Sequence, residues 1–116
     1  MSLDLAVIMD RKLSIRELKT VSEFLQTKGF HQDRFGYHAT QKKIFLDIYI
    51  DREPEKSDFW TDEPPKVVWL TPLAEINLES RHTRQSHQMS YRIAKKLAKL
   101  VGGFIYDNQF GIVYDP

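Results

Sequence analysis

Ile93-Ala94-Lys95-Lys96-Leu97-Ala98-Lys99-Leu100-Val101, then Gly102-Gly103, then Phe104-Ile105-Tyr106-Asp107-Asn108-Gln109-Phe110-Gly111-Ile112-Val113-Tyr114-Asp115, is the stretch that decides the fold. Its first nine residues carry apolar side chains at helical spacing. The glycine pair stops that helix, because glycine accepts the left-handed conformation that ends one. Phe104 to Asp107 returns as a strand, Asn108 to Gly111 turns it, and Ile112 to Asp115 runs back. A helix laid on a sheet that a terminal hairpin completes is an α+β arrangement.

Working towards the N-terminus, the second helix is expected to begin near Ser86 or Met89, with Met89, Ile93, Leu97 and Leu100 inward. Leu73 to Leu78 is ambiguous. Ala74, Ile76 and Leu78 alternate as in a strand, yet Thr71-Pro72 could open a short helix. Val67 to Leu70 reads as a strand, and Glu53 to Pro65 as a proline-punctuated loop. Ile44, Leu46, Ile48 and Ile50 alternate with Phe45, Asp47, Tyr49 and Asp51, the pattern of a strand with one face in water. His31 to Thr40 shows no clear period. Ser14 and Glu17 form a capping box that opens a helix with Ile15, Leu18, Val21 and Leu25 inward and Gly29 just past its end. Leu3 to Met9 reads as a buried strand. The order predicts a ferredoxin-like βαββαβ sandwich in one domain, residues 1–116. Two helices would cover one face of a mainly antiparallel sheet, with a C-terminal hairpin and the first strand beside Val67 to Leu70.

The 116 residues are 41% hydrophobic and 28% charged, with a net charge of +1. That composition is ordinary for a globular domain and gives no global pull towards nucleic acid or membrane. Cysteine is absent, which excludes disulfides, thiolate metal sites and a cysteine nucleophile. Leu5 to Met9 is too short for a signal-peptide core and no apolar run could span a bilayer, so a cytoplasmic chain is expected.

Charge is nevertheless segregated. Asp51, Glu53, Glu55, Asp58, Asp62 and Glu63 face only Arg52 and Lys56 within residues 51–63, a local −4. Phe59 and Trp60 sit in the same loop. Two large rings there either fold back on the core, the plainer reading, or anchor a partner that the carboxylates steer in. Arg81, Arg84, Arg92, Lys95, Lys96 and Lys99 lie in a stretch with no acid, a local +6. The plainer reading is a solvated helix face; the sharper one is a phosphate-contacting patch. No phosphate loop, cofactor motif or RNA-binding aromatic motif accompanies it.

Reactive groups are sparse. His31 and His38 bracket Asp33, and His82 and His87 are five apart; neither spacing matches a metal-ligand pattern. Asp47 and Asp51 lie roughly 13 Å apart along a strand, too far for a retaining carboxylate pair. Ser80, Ser86 and Ser90 lie near histidines without a nucleophile elbow. A small enzyme with His82 or His87 as general base is thus the weakest reading.

The run Ala94-x-x-x-Ala98-x-x-x-Gly102-Gly103-x-x-Tyr106-Asp107-x-Gln109-x-Gly111 resembles the tail of small bacterial polymorphic-toxin immunity proteins and of uncharacterised α+β domains. The resemblance implies an inhibitor that covers a cognate toxin and performs no reaction, with no fixed site residues to carry over. The expectations are therefore a non-enzymatic binding protein without cofactor or metal. Its partner surface would be the acidic, aromatic loop, with the face around Phe45 and Tyr49 as an extension. A nucleic-acid module using residues 81–99 is the alternative, and a homodimer through the terminal hairpin edge stays open.

Overall fold

The computed structural model describes residues 2–54, 72–107, 109 and 112–114. The elements run β1 (Ser2–Met9), α1 (Ile15–Thr27), β2 (Phe30–Asp33), β3 (Gly36–Ala39), β4 (Phe45–Asp51), β5 (Ala74–Arg81), α2 (Arg84–Val101), β6 (Phe104–Asp107) and β7 (Ile112–Tyr114). The strands form one sheet in the order β2-β3-β4-β5-β1-β6-β7, and every neighbouring pair is antiparallel.

The architecture is α+β, with the terminal hairpin closing the sheet as the glycine-bounded stretch predicted: Tyr106 pairs with Val113 and Asp107 with Ile112. The ferredoxin-like order is not the one found. Four described strands, rather than two, separate the helices. β1 lies between β5 and β6 and runs antiparallel to both. A meander from β2 to β5 delivers its last strand against β1 and adds strands beyond the four of that sandwich. The strand expected at Val67 to Leu70, and the loop expected at Glu53 to Pro65 beyond its first two residues, lie outside the described residues.

Two differences from expectation have plain physical causes. Leu73 to Leu78 is resolved in favour of a strand: Ala74, Ile76, Leu78 and Ser80 are buried and the residues between them are not. Pairing with β1 on one side and β4 on the other outweighs any local helix signal. His31 to Thr40 contains the hairpin β2–β3. Its inward positions include Phe30 and Tyr37, but three of the four β2 residues stay exposed at the sheet edge, so the alternation of a half-buried strand is blurred.

Both helices pack on one face. Val21 and Leu25 of α1 and Ile93, Ala94, Leu97, Ala98 and Val101 of α2 share a core with Leu3, Leu5, Val7 and Met9 of β1, Leu46 and Ile48 of β4, and Ala74, Ile76 and Leu78 of β5. α2 starts earlier than its apolar residues indicate. Thr83 caps it by accepting the Ser86 amide at 3.1 Å. Ser86 and Ser90 continue the buried stripe, and Ser86 Oγ accepts the Phe45 amide at 2.7 Å, pinning the helix start to β4. Leu100, expected inward, is exposed. Gly102 takes the left-handed cap, φ 70°. No helix among the described residues is long and apolar enough to cross a membrane.

At the start of α1 the capping box is present. Ser14 Oγ accepts the Glu17 amide and the Glu17 carboxylate accepts the Ser14 amide, both at 3.1 Å. Replacing Ser14 with alanine is expected to lower stability by about 1 kcal/mol, read as a shift of the urea midpoint at unchanged slope. Ile15, expected inward, is 81% exposed. As the first helical residue it precedes the turn from which Leu18, Val21 and Leu25 reach the sheet.

Candidate protein-binding face

The face of the sheet away from the helices follows from register alone. Phe45, Asp47, Tyr49 and Asp51 alternate with the inward residues of β4. Directly opposite them on β5 stand Arg81, Glu79, Asn77 and Glu75. Beyond, on β1, Asp4 faces Glu79, Ala6 faces Asn77 and Ile8 faces Glu75. Two rows of like charge result: Asp47, Glu79 and Asp4 across three strands, and Asp51 with Glu75 across two. Like charges directly opposed on one sheet face lower stability. The far end of this face is apolar, where Ala6 and Ile8 are covered by Phe104 and Tyr106.

Tyr49 stands amid these acids with 46% of its surface exposed. Burial of its hydroxyl, and then the charges of Glu79, Asp4, Glu75 and Asp51, push its pKa up. Burial, followed by the Asp51 charge, does the same to the Glu75 carboxyl. Phe45, 44% exposed, meets the His82 ring edge-on at 5.1 Å.

One corner of the face is neutralised. His38 sets Nδ1 2.7 Å from Asp47 Oδ1 and Nε2 3.0 Å from an oxygen of Asp33. Arg81 donates to the other oxygen of Asp47 at 2.7 Å and lies 4.0 Å from Glu79. With a carboxylate at each ring nitrogen, the imidazolium form of His38 can donate to both. Its pKa is raised by the hydrogen bond to Asp47 and then by that to Asp33. Such a ring has no free nitrogen with which to act as a general base; it is a clamp joining β2, β3 and β4. The unfolded chain lacks these partners and titrates near 6.5. The clamp's stabilisation is thus full below about pH 6.5 and is lost as pH rises through the higher folded-state pKa. The Tm difference between the wild type and His38→Ala is therefore expected to be larger at pH 5.5 than at pH 8.5. An equal difference at both pH values would contradict the clamp.

Of the loop residues expected to bind a partner, Asp51 and Glu53 are described. Asp51 ends β4 on the open face, and its carboxylate accepts the Glu53 amide at 3.0 Å. Glu55, Asp58, Phe59, Trp60, Asp62 and Glu63 lie outside the described residues. The structure adds Asp4, Glu75 and Glu79, which the sequence reading missed. For Glu75 and Glu79 the signal was the outward half of the Ala74–Arg81 alternation, unreadable while that stretch stood between helix and strand; Asp4 joins them only through the pairing of β1 with β5.

The basic residues divide. Arg84, Arg92, Lys95, Lys96 and Lys99 are exposed on α2, on the opposite side of the molecule from the acids. Arg81 is not with them; it sits on the acidic face, bound to Asp47. On the helical side Lys96 approaches Lys28 closely enough that this contact, and then the Arg92 charge, lowers its pKa.

The serine–histidine neighbours form a structural contact. His87 Nδ1 lies 2.8 Å from Ser80 Oγ, which also reaches the Leu3 carbonyl at 3.3 Å, and Ser80 is fully buried. His31 and His38 face each other across β2 and β3, and no group of three or more potential metal ligands gathers among the described residues. Among the described residues the arrangement is acidic and aromatic on the open sheet face and basic along α2. In comparisons with known proteins, no family model and no curated protein matches this chain.

Proposed function

We propose that the chain is a non-enzymatic binding protein whose open sheet face holds a basic protein surface. The observation that carries this reading is the like charge set in register: Asp47, Glu79 and Asp4 in one row, Asp51 and Glu75 in another. The part of these rows that His38 and Arg81 do not neutralise gains the sheet nothing in stability, whereas a basic partner would turn it into favourable contacts. The exposed rings of Tyr49 and Phe45 supply desolvated area among those charges, the composition of an interface centre. The loop residues Asp51, Glu53, Glu55, Asp58, Phe59, Trp60, Asp62 and Glu63 extend the same character along the sequence. The resemblance of residues 94–111 to immunity proteins suggests a partner of a particular kind: the basic domain of a cognate bacterial toxin, covered and neutralised in the cytoplasm. Opposite charge would steer the encounter and hasten capture.

The test is affinity capture from source cells with two baits, the wild type and the double variant Glu75→Lys/Glu79→Lys. A basic protein retained by the first and lost from the second supports the reading. Identical captured sets would refute it.

A second reading has one observation in its favour. Arg84, Arg92, Lys95, Lys96 and Lys99 are all exposed along α2, where Lys28 lowers the pKa of Lys96, and a phosphate backbone would relieve that repulsion. Arg84, Arg92, Lys95, Lys96 and Lys99 would then contact nucleic acid, with affinity falling steeply as salt rises. Duplex binding that survives Glu75→Lys/Glu79→Lys but is lost on Lys95→Glu/Lys99→Glu would favour it.

A further inference from the structure

Ile15, at the first position of α1, is 81% exposed, and Phe35, at the β2–β3 turn, is 70% exposed. Both line one surface hollow of about 490 Å³, together with the half-buried Leu18. Tyr37 and Ile50 form its floor. Tyr37 stands opposite the inward Ile48, and Ile50 lies two residues further along the same face of β4. The hollow therefore belongs to the helix side of the sheet. Exposed apolar surface gathered in a concavity is what a binding site offers.

Among the described residues its charged lining is Lys19, Arg34 and Asp33, and these charges do not cancel. Asp33 has its partners within its own hairpin: Oδ1 accepts the Phe35 amide at 2.8 Å, and His38 Nε2 lies 3.0 Å from the carboxylate. The Phe35 amide first, and then His38, hold that carboxyl below its ordinary pKa. Lys19 and Arg34, by contrast, enter no ion pair among the described residues. The Arg34 guanidinium lies 4.7 Å from the centroid of the Phe35 ring, so the rim presents cation and ring together. Gly36 holds that rim against β4, where an added Cβ would lie 2.4 Å from the Ile48 carbonyl oxygen. Two uncompensated positive charges thus flank an apolar hollow.

Ile15 and Phe35 stand up from the rim, so a small ligand in the hollow would leave most of their surface in water. A polypeptide covers hollow and rim together. We propose that this hollow is a second binding site, taking one large apolar side chain of an acidic polypeptide segment whose carboxylates pair with Lys19 and Arg34. The site is separate from the open sheet face in position and in the charge it selects, and it does not rest on the reading of that face. The rim charge admits an acidic segment and disfavours a basic one, and the apolar lining demands more of it than charge alone.

Four synthetic twelve-residue peptides test this against the ¹⁵N-labelled full chain by NMR titration. The first carries one leucine among glutamates and serines. In the second that leucine is alanine, in the third every glutamate is serine, and in the fourth every glutamate is arginine. The first is expected to shift the amides of Ile15, Lys19, Phe35 and Gly36. It should bind roughly tenfold more tightly than the second, the gain expected from burying one apolar side chain. At low salt it should bind roughly fivefold more tightly than the third, the worth of two exposed ion pairs, and high salt should close that gap. The fourth should leave the amides of the hollow unmoved. The variant Lys19→Glu/Arg34→Glu, altered only at exposed positions, should bind the first peptide at least tenfold more weakly than the wild type, whereas Lys95→Glu/Lys99→Glu should bind it within about threefold.

Equal affinity for the first two peptides would overturn the proposal, since no apolar side chain would then be seated. Shifts along α2 in place of the hollow, with binding lost in Lys95→Glu/Lys99→Glu, would give the acidic peptide to the helix bases and overturn it too. So would movement of the hollow's amides by the fourth peptide as large as by the first. Amides of the hollow that move with protein concentration alone would assign it to a second copy of the chain and overturn the proposal.

Discussion

Replacing Gly36 with alanine is expected to cost about 3 kcal/mol of stability and to separate the β2–β3 hairpin from β4. The added Cβ would fall 2.4 Å from the Ile48 carbonyl oxygen, a backbone atom that cannot swing aside as a side chain would. The residue also has φ 138°, a conformation L side chains rarely adopt. Strain of this kind costs about 1–3 kcal/mol and overpacking a similar amount, and the two act together here. The hairpin would have to lift, taking His38 from its contact with Asp47. Urea unfolding measures the stability, and the His38 ring signals in NMR report the clamp. Wild-type stability together with an unchanged His38 pKa would show that the turn does not bear on β4 as described.

Reversing two charges on the open face is expected to separate binding from folding. In Glu75→Lys/Glu79→Lys, the lysine at 75 meets Asp51 and the lysine at 79 meets Asp47 and Asp4, at the loss of the 4.0 Å contact with Arg81, so each like-charge row becomes mixed. Cross-strand pairs of opposite charge contribute roughly 0.2–1 kcal/mol each, so Tm is expected to stay level or rise by a few degrees. Affinity for a basic partner should fall a hundredfold or more, since each reversal replaces an attraction with a repulsion and about 1.4 kcal/mol is a factor of ten. A residue kept for the fold loses stability when reversed; one kept for a partner loses affinity. The double variant tells these apart, read by thermal unfolding alongside titration calorimetry.

The elements that could be read in advance are those whose local chemistry and tertiary role agree. The capping box at Ser14 and Glu17 and the glycine pair after Val101 satisfy backbone groups within a few residues, so short-range pattern suffices. β4 was readable because its isoleucines and leucine point one way and its aromatics and aspartates the other. The start of α2 was hidden because Ser86 and Ser90 occupy buried positions that a hydrophobic pattern skips. β5 was hidden because Ala74 to Leu78 is short, and only pairing on both sides settles it as a strand. The sandwich order failed with it, since the neighbour of β1 is chosen by long-range pairing.

The candidate face follows the same division. Phe45, Asp47, Tyr49 and Asp51 were placed together because one strand carries them all. Asp4, Glu75 and Glu79 join them only through register across three strands, which no single segment encodes. Arg81 was grouped with the helix bases by its position in the chain, yet the strand it ends turns it to the opposite side of the sheet. Ile15 followed the apolar spacing of α1 and was expected inward. It is exposed instead and shares a surface hollow with Phe35.

The dissociation constant of the protein captured by the wild-type chain, measured for wild type and for Glu75→Lys/Glu79→Lys at low and at high salt, tests the central claim most directly. The expected result is tight, salt-sensitive binding by the wild type, and a loss of a hundredfold or more in a variant that melts no earlier. Equal constants for the two proteins, with the variant melting well below the wild type, would contradict it: the carboxylates would then belong to the fold and the partner would sit elsewhere.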